Sequence, residues 1–185
     1  MEFREEITPE MQEEWFGRIN NRNNGFYLIE TENEFIGMIN GRDIDWEKKT
    51  TGSGGIFIWD ESWWNTFVPV SAAMLLTEIS FLLGLEINYI QVLRTNLQAI
   101  RFNRSLGYTL MPDQDAVENQ QYILTAPAYY AATQKLRAIL QHKFGSGFHC
   151  LITDPFNDAS VNALEIVSRF NEEQKKQLTV QIAGQ

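Results

Sequence analysis

Apolar positions change their spacing along this chain in a regular way, and the changes mark out its elements. Met11, Trp15 and Ile19 recur at helical spacing behind a start signal in which Thr8 caps and Pro9 opens the first turn, so residues 8–19 read as a helix. Asn20 to Gly25 is turn-rich. Phe26 to Glu30 and Glu34 to Ile39 then read as two strands joined by Thr31, Glu32 and Asn33, a β-hairpin. Alternation through Arg42, Asp43, Ile44, Asp45 and Trp46 extends the second strand further, before Lys48 to Gly55 turns the chain. Gly55 to Trp59 is a short apolar run of central-strand type, ended by Asp60, Glu61 and Ser62.

From Pro69 to Leu83 the residues Val70, Ala73, Met74, Leu76, Ile79, Phe81 and Leu82 are apolar almost all round, the pattern of a mostly buried helix, and Gly84 ends it. Glu86 to Leu93 returns as a strand. Asn96 then caps a helix whose Ala99, Phe102 and Leu106 share one face, with Gly107 at the left-handed closing position. Tyr108 to Met111 and Asn119 to Thr125 read as strands. Beyond Thr125 the pattern predicts a helix over 127–144, a strand over 148–153, a helix over 159–170 and a strand near 178–182. The division falls at 126: residues 1–126 as one domain, and 127–185 as a C-terminal αβαβ extension.

Composition narrows the function classes. Hydrophobic residues at 44% over 185 residues suffice for a substantial core. A net charge of -9 argues against nucleic acid and against an anionic membrane surface, since no basic stripe exists to displace counterions. The longest apolar run is broken by Pro69, Ser71, Thr77, Glu78 and Ser80, so no membrane span is expected. A single cysteine, Cys150, and an N-terminus lacking the apolar core of a signal peptide point to a reducing, cytoplasmic compartment. Neither His142 nor His149 has ligands spaced for a metal site.

The order of elements, and above all the run Asn96, Ala99, Phe102, Gly107, Tyr108, resembles the GNAT superfamily of acyl-CoA-dependent N-acyltransferases. Phe81, Gly84 and Leu85 fit the family's habit at the end of the preceding helix. The resemblance covers residues 8 to 126 and looks closest to the branch that acetylates ribosomal-protein N-termini and nucleotide-linked amino sugars. It implies an α/β fold of α+β type, a mixed central sheet flanked by helices, here without the usual first strand and helix.

The resemblance also implies acetyl-CoA as co-substrate and a primary amine as acceptor, on a small molecule, an amino sugar or a peptide N-terminus. Backbone groups of Phe57, Ile58 and Trp59 are expected beside the thioester. Asn96, Ala99 and Phe102 are expected beside the pantetheine arm, and the helix start at Thr66, Phe67 and Val68 beside the pyrophosphate. The family's glycine-rich phosphate loop corresponds to Ser62 to Phe67 and contains no glycine. Asn103 stands where many members carry a tyrosine that protonates the departing sulfur. An amide donates a hydrogen bond but supplies no titrating proton. For the base, the acids flanking the strand are Asp43, Asp45, Asp60 and Glu61, with Asp43 and Glu61 ranked first.

Loss of the first strand exposes the edge of Phe26 to Glu30, which invites another strand. The C-terminal strand–helix–strand either takes that place or forms a small lobe that mediates a homodimer. Phe67 and Asn103 leave a second reading open, a non-catalytic GNAT-like domain that binds a ligand or partner.

Overall fold

The computed structural model describes residues 7–145, 150–154, 168, 172 and 178–182. Helix α1, Pro9–Ile19, begins where Thr8 Oγ1 accepts the Met11 N–H at 3.3 Å. None of its residues is buried; it touches the sheet through Trp15, edge-on to Phe26 with ring centroids 5.8 Å apart. Strands β1, Gly25–Thr31, and β2, Glu34–Arg42, form the expected hairpin. Its two-residue turn needs positive φ at both positions, and Glu32 and Asn33 adopt 53° and 65°. The second strand ends at Arg42 rather than running on to Trp46. Asp43 takes φ 56°, held there by Asn24 Oδ1 on its N–H at 3.0 Å, and a reversed φ ends the pleat whatever the side-chain alternation.

The strand expected over Gly55 to Trp59 starts earlier, at Ser53, and lies at the edge of its sheet rather than at the centre, because the chain forks within 50–58. The first two residues of that run, β3 (Thr50–Thr51), pair in parallel with β5, Ile87–Leu93. Its remainder, β4 (Ser53–Ile58), pairs antiparallel with β2. Gly52 is the fork: its N–H is shared between the Arg42 and Asp43 carbonyls, at 3.0 and 3.1 Å, and a Cβ there would sit 2.8 Å from that of Asp43. Two sheets result, β1-β2-β4 and β3-β5-β7-β6, with β6 at Thr109–Leu110 and β7 at Asn119–Thr125. Between β4 and β5 no ladder forms.

Helix α2, Val68–Leu82, packs across both sheets, with Ala73, Met74, Thr77 and Ser80 buried and Asn88 Nδ2 of β5 donating to Ser80 Oγ at 2.8 Å. Helix α3, Leu97–Ser105, follows β5. The core does not stop at residue 126. Helix α4, Ala126–Phe144, inserts the fully buried Tyr129 and Thr133 beside Leu124, Tyr122 and Met74. The C-terminal strands β8, Cys150–Asp154, and β9, Leu178–Ile182, pair in parallel with each other, and neither pairs with β1. Of the two places expected for them, the one beside β1 is therefore not taken: among the described residues that edge is unpaired. Of the predicted helix over 159–170 only Ser168 is described, and it is helical; the rest lies outside the described residues.

Candidate active site

The gap between β4 and β5 opens into a cleft of about 810 Å³, roofed by α2 and closed on the far side by α3. Register determines which backbone groups face it. The Trp59 N–H donates to Ile36 O at 3.0 Å, so alternate residues of β4 turn to β2, and Gly54, Ile56 and Ile58 turn their N–H and C=O groups to the gap. Having no ladder partner, these groups are available to a ligand. Trp64 takes one of them, its indole Nε1 donating to Ile58 O at 3.0 Å.

Opposite, Asn96 caps α3 through Oδ1 to the Ala99 N–H at 3.1 Å, which orients the helix start along the cleft. Asn103 Nδ2 donates back to Ala99 O at 2.9 Å, so one of its two amide hydrogens is committed to its own helix and the other remains. The lining side chains are hydrocarbons, hydroxyls and carboxamides, including Ala99, Phe102, Gln91, Gln98, Asn119 and Asn40. Tyr108 also lines it; burial pushes its phenol far above the ordinary range, so it stays a neutral O–H.

Of the residues expected from sequence, the structure brings Phe57, Ile58, Thr66, Asn96, Ala99, Phe102 and Asn103 to the cleft. Trp59, Phe67 and Val68 lie outside its lining. Trp59 turns outward, its indole donating to Phe35 O at 3.0 Å. Val68, the first residue of α2, gives its N–H to Thr66 Oγ1 at 3.2 Å, and Phe67 lies under Lys143, whose Nζ is 4.5 Å from the ring centre. Neither Asp43 nor Glu61 lines the cleft. Asp43 sits beyond the fork, its Oδ2 accepting from Ser53 Oγ at 3.0 Å, and Glu61 is exposed on a short 3-10 turn, Glu61–Trp63.

Asp60 and Asp45 are poor bases for a different reason. Hydrogen bonds from Ser62 hold the Asp60 carboxyl below its usual range, and Lys48 does the same to Asp45. Four carboxamide residues of the cleft were not singled out from sequence: Asn40, Gln91, Gln98 and Asn119. Gln91 carries a signal in retrospect, as a polar residue in the middle of an apolar strand; it accepts from Asn119 Nδ2 at 2.9 Å across to β7. Asn40 carries another, since its Oδ1 is buried without a hydrogen-bond partner.

Residues 1–108 match the profile of the Acetyltransferase (GNAT) family. Solved structures similar to this one include a structure described as a putative acetyltransferase, 18% identical, TM-score 0.60, covering 76% of this chain and 77% of that one. Another is apo FdhC, a nucleotide-linked sugar GNAT, 21% identical, TM-score 0.57, covering 69% and 71%. A third is a chimera of spermidine N-acetyltransferase SpeG from Vibrio cholerae and hSSAT, 17% identical, TM-score 0.54, covering 66% and 82%. At these identities the likeness is one of fold. No protein of curated function matches the sequence. Among the described residues no helix is long and apolar enough to cross a membrane, and no group of acids, histidines and cysteine is placed to hold a metal ion.

Proposed function

Since the chain belongs to the GNAT acetyltransferase family, we propose that it transfers an acetyl group from acetyl-CoA to a primary amine on a small molecule, an amino sugar or a peptide N-terminus. The carrying observation is the fork: β4 and β5 separate with the backbone N–H groups of Gly54, Ile56 and Ile58 turned into a cleft of about 810 Å³. A bound thioester supplies an activated acyl carbon. The strand's role is to aim preorganised donors at the oxygen on which charge develops, and the cleft's role is to hold amine and thioester in line. Asn103 is assigned the remaining amide hydrogen toward the departing sulfur. With carboxamides and hydroxyls on its walls, the cleft favours an amine that arrives neutral or gives its proton to water.

The phosphate end differs from a glycine-rich loop, yet two features fit an anion there: the start of α2 and the cation that α4 delivers, Lys143. Lys143→Gln is expected to raise KM for acetyl-CoA about five- to tenfold, about 1–1.4 kcal/mol, with kcat unchanged.

A second reading, a GNAT-like domain that binds without transferring, is favoured by the Val68 amide being already taken by Thr66. Calorimetric titration with acetyl-CoA separates the two. Saturable binding tighter than about 1 mM is expected; no heat at that concentration refutes acetyl-CoA as donor. Given binding, Asn103→Ala is expected to lower kcat about tenfold with less than a twofold change in acetyl-CoA affinity, and an unchanged kcat removes Asn103 from the mechanism.

A further inference from the structure

Past the fork, where β2 ends, the loop after α1 and the turn after Arg42 form the walls of a second, open cavity of about 640 Å³. Its two walls are stitched together. Asn24 Oδ1 accepts the Asp43 N–H at 3.0 Å, Asn23 O accepts the Ile44 N–H at 2.9 Å, and the Trp46 indole donates to Arg22 O at 3.2 Å. Such a cavity is preformed, so a ligand entering it does not bear the cost of ordering the loops.

Three arginines line it, Arg18, Arg22 and Arg42. None of their guanidinium groups makes a hydrogen bond or ion pair among the described residues, and the Arg42 Nε is buried without a partner. A buried donor left unmade is costly, more so on a charged group, and a native structure that keeps one has a use for it. Acids are also present, but two are turned to partners of their own. Asp45 binds Lys48 through Oδ2 at 2.8 Å and the Lys48 N–H through Oδ1 at 2.9 Å, and Asp43 accepts from Ser53 Oγ. Glu47, the third, is exposed on the turn. In a chain of net charge -9, three arginines with uncommitted guanidinium groups therefore line one open pocket.

We propose that this cavity binds an oxyanion, the phosphate or carboxylate group of a small molecule, through Arg18, Arg22 and Arg42, at a site separate from the acyl-transfer cleft. Forked guanidinium donors match both groups, because each presents two oxygens in a plane at the right spacing. Of the acids in the same lining, Asp45 is neutralised by Lys48, while Asp43 and Glu47 keep their charges, so the arginines favour an oxyanion through forked hydrogen bonds rather than through net charge. The proposal does not depend on acetyl transfer and survives its failure.

The test is calorimetric titration of the full chain with inorganic phosphate and, separately, citrate, against sodium chloride at matched ionic strength. Saturable binding of one or both, absent with chloride, is expected, weakened about tenfold in Arg22→Gln and in Arg18→Gln. These two positions are exposed, so the variants fold even where Arg42→Gln does not. Phosphate has another place to go, the start of α2, and Lys143→Gln distinguishes it: binding is expected to persist in that variant. Response to phosphate but not citrate, or the reverse, identifies the anion class. Equal behaviour in chloride, or binding lost in Lys143→Gln and retained in Arg22→Gln, overturns the proposal.

Discussion

Replacing Gly107 with alanine is expected to destabilise the fold by about 3 kcal/mol, the sum of roughly 1–2 kcal/mol of backbone strain and a similar cost for steric displacement. Gly107 closes α3 with φ 100°, a conformation in which L side chains are strained. α4 also packs against it: a Cβ would stand 2.8 Å from Ala128 O and 3.2 Å from Ala132 Cβ, contacts with backbone and with a second helix that cannot be relieved by a rotamer change. Thermal unfolding should show Tm lower by roughly 6–12 °C for a chain of this length. Gly84 is the control. It has φ 88° and nothing within 4 Å of its would-be Cβ, so Gly84→Ala bears the strain without the clash and should cost only about 1–2 kcal/mol. Equal losses at the two positions would show that α4 gives way freely at Gly107.

That contrast marks what a sequence discloses. Both glycines announce helix ends, because each follows a run of helical periodicity and precedes a strand. Nothing local distinguishes the one that also makes room for another helix 20 residues on. The hairpin was legible for the same kind of reason: Glu32 and Asn33 stand between two alternating runs and leave room only for a tight turn. Asp43 was misleading because alternation of polar and apolar residues continues through Ile44 and Trp46, while the reversal of φ is imposed from Asn24, on a different loop.

The candidate site divides along the same line. Asn96, Ala99, Phe102 and Asn103, which the resemblance assigns to the site through one helical motif, all line the cleft. The cleft itself was not readable. Lys48 to Gly55 reads as a turn and Gly55 to Trp59 as a strand, and only the pairing of Thr50 and Thr51 with β5 and of Ser53 to Ile58 with β2 makes the glycines a fork. The acids nearest β4 in sequence were natural choices for a base, but proximity along the chain places them on the turns that end the strand, where Ser62, Ser53 and Lys48 engage them. The three arginines of the second cavity escape a linear reading, because Arg18 belongs to the first helix, Arg22 to the turn after it and Arg42 to the second strand, and only the fold brings them together.

The second large effect is expected at Glu78, which ties α4 to α2. Glu78 Oε1 accepts from Tyr129 Oη at 2.8 Å and from Arg137 Nη2 at 2.7 Å, with side chains only 16% and 32% exposed for Glu78 and Arg137. Burial, then the Glu78 charge, pushes the Tyr129 phenol far above its ordinary range, so it remains a donor throughout the working pH range. The guanidinium also lies over the Tyr129 and Tyr130 rings, 5.2 and 4.8 Å from their centres. Glu78→Ala removes the shared acceptor of both donors, leaving Tyr129 Oη only Met74 O and Arg137, through Nε, only Thr133 Oγ1, each at 3.3 Å. Its cost is expected to be about 2–3 kcal/mol, below the 3–5 kcal/mol of a fully buried pair because Arg137 retains some water. Arg137→Ala in the same background should cost much less than in the native chain, the signature of coupling in a double-mutant cycle. The consequence reaches the cleft. Lys143 rides on the last turn of α4, so loosening the helix at Glu78 should raise KM for acetyl-CoA in the same direction as Lys143→Gln, while the anion affinity of the arginine cavity, which α4 does not line, stays unchanged. A Glu78→Ala variant within about 0.5 kcal/mol of native stability by denaturant unfolding would mean that apolar packing of Tyr129 alone docks the helix.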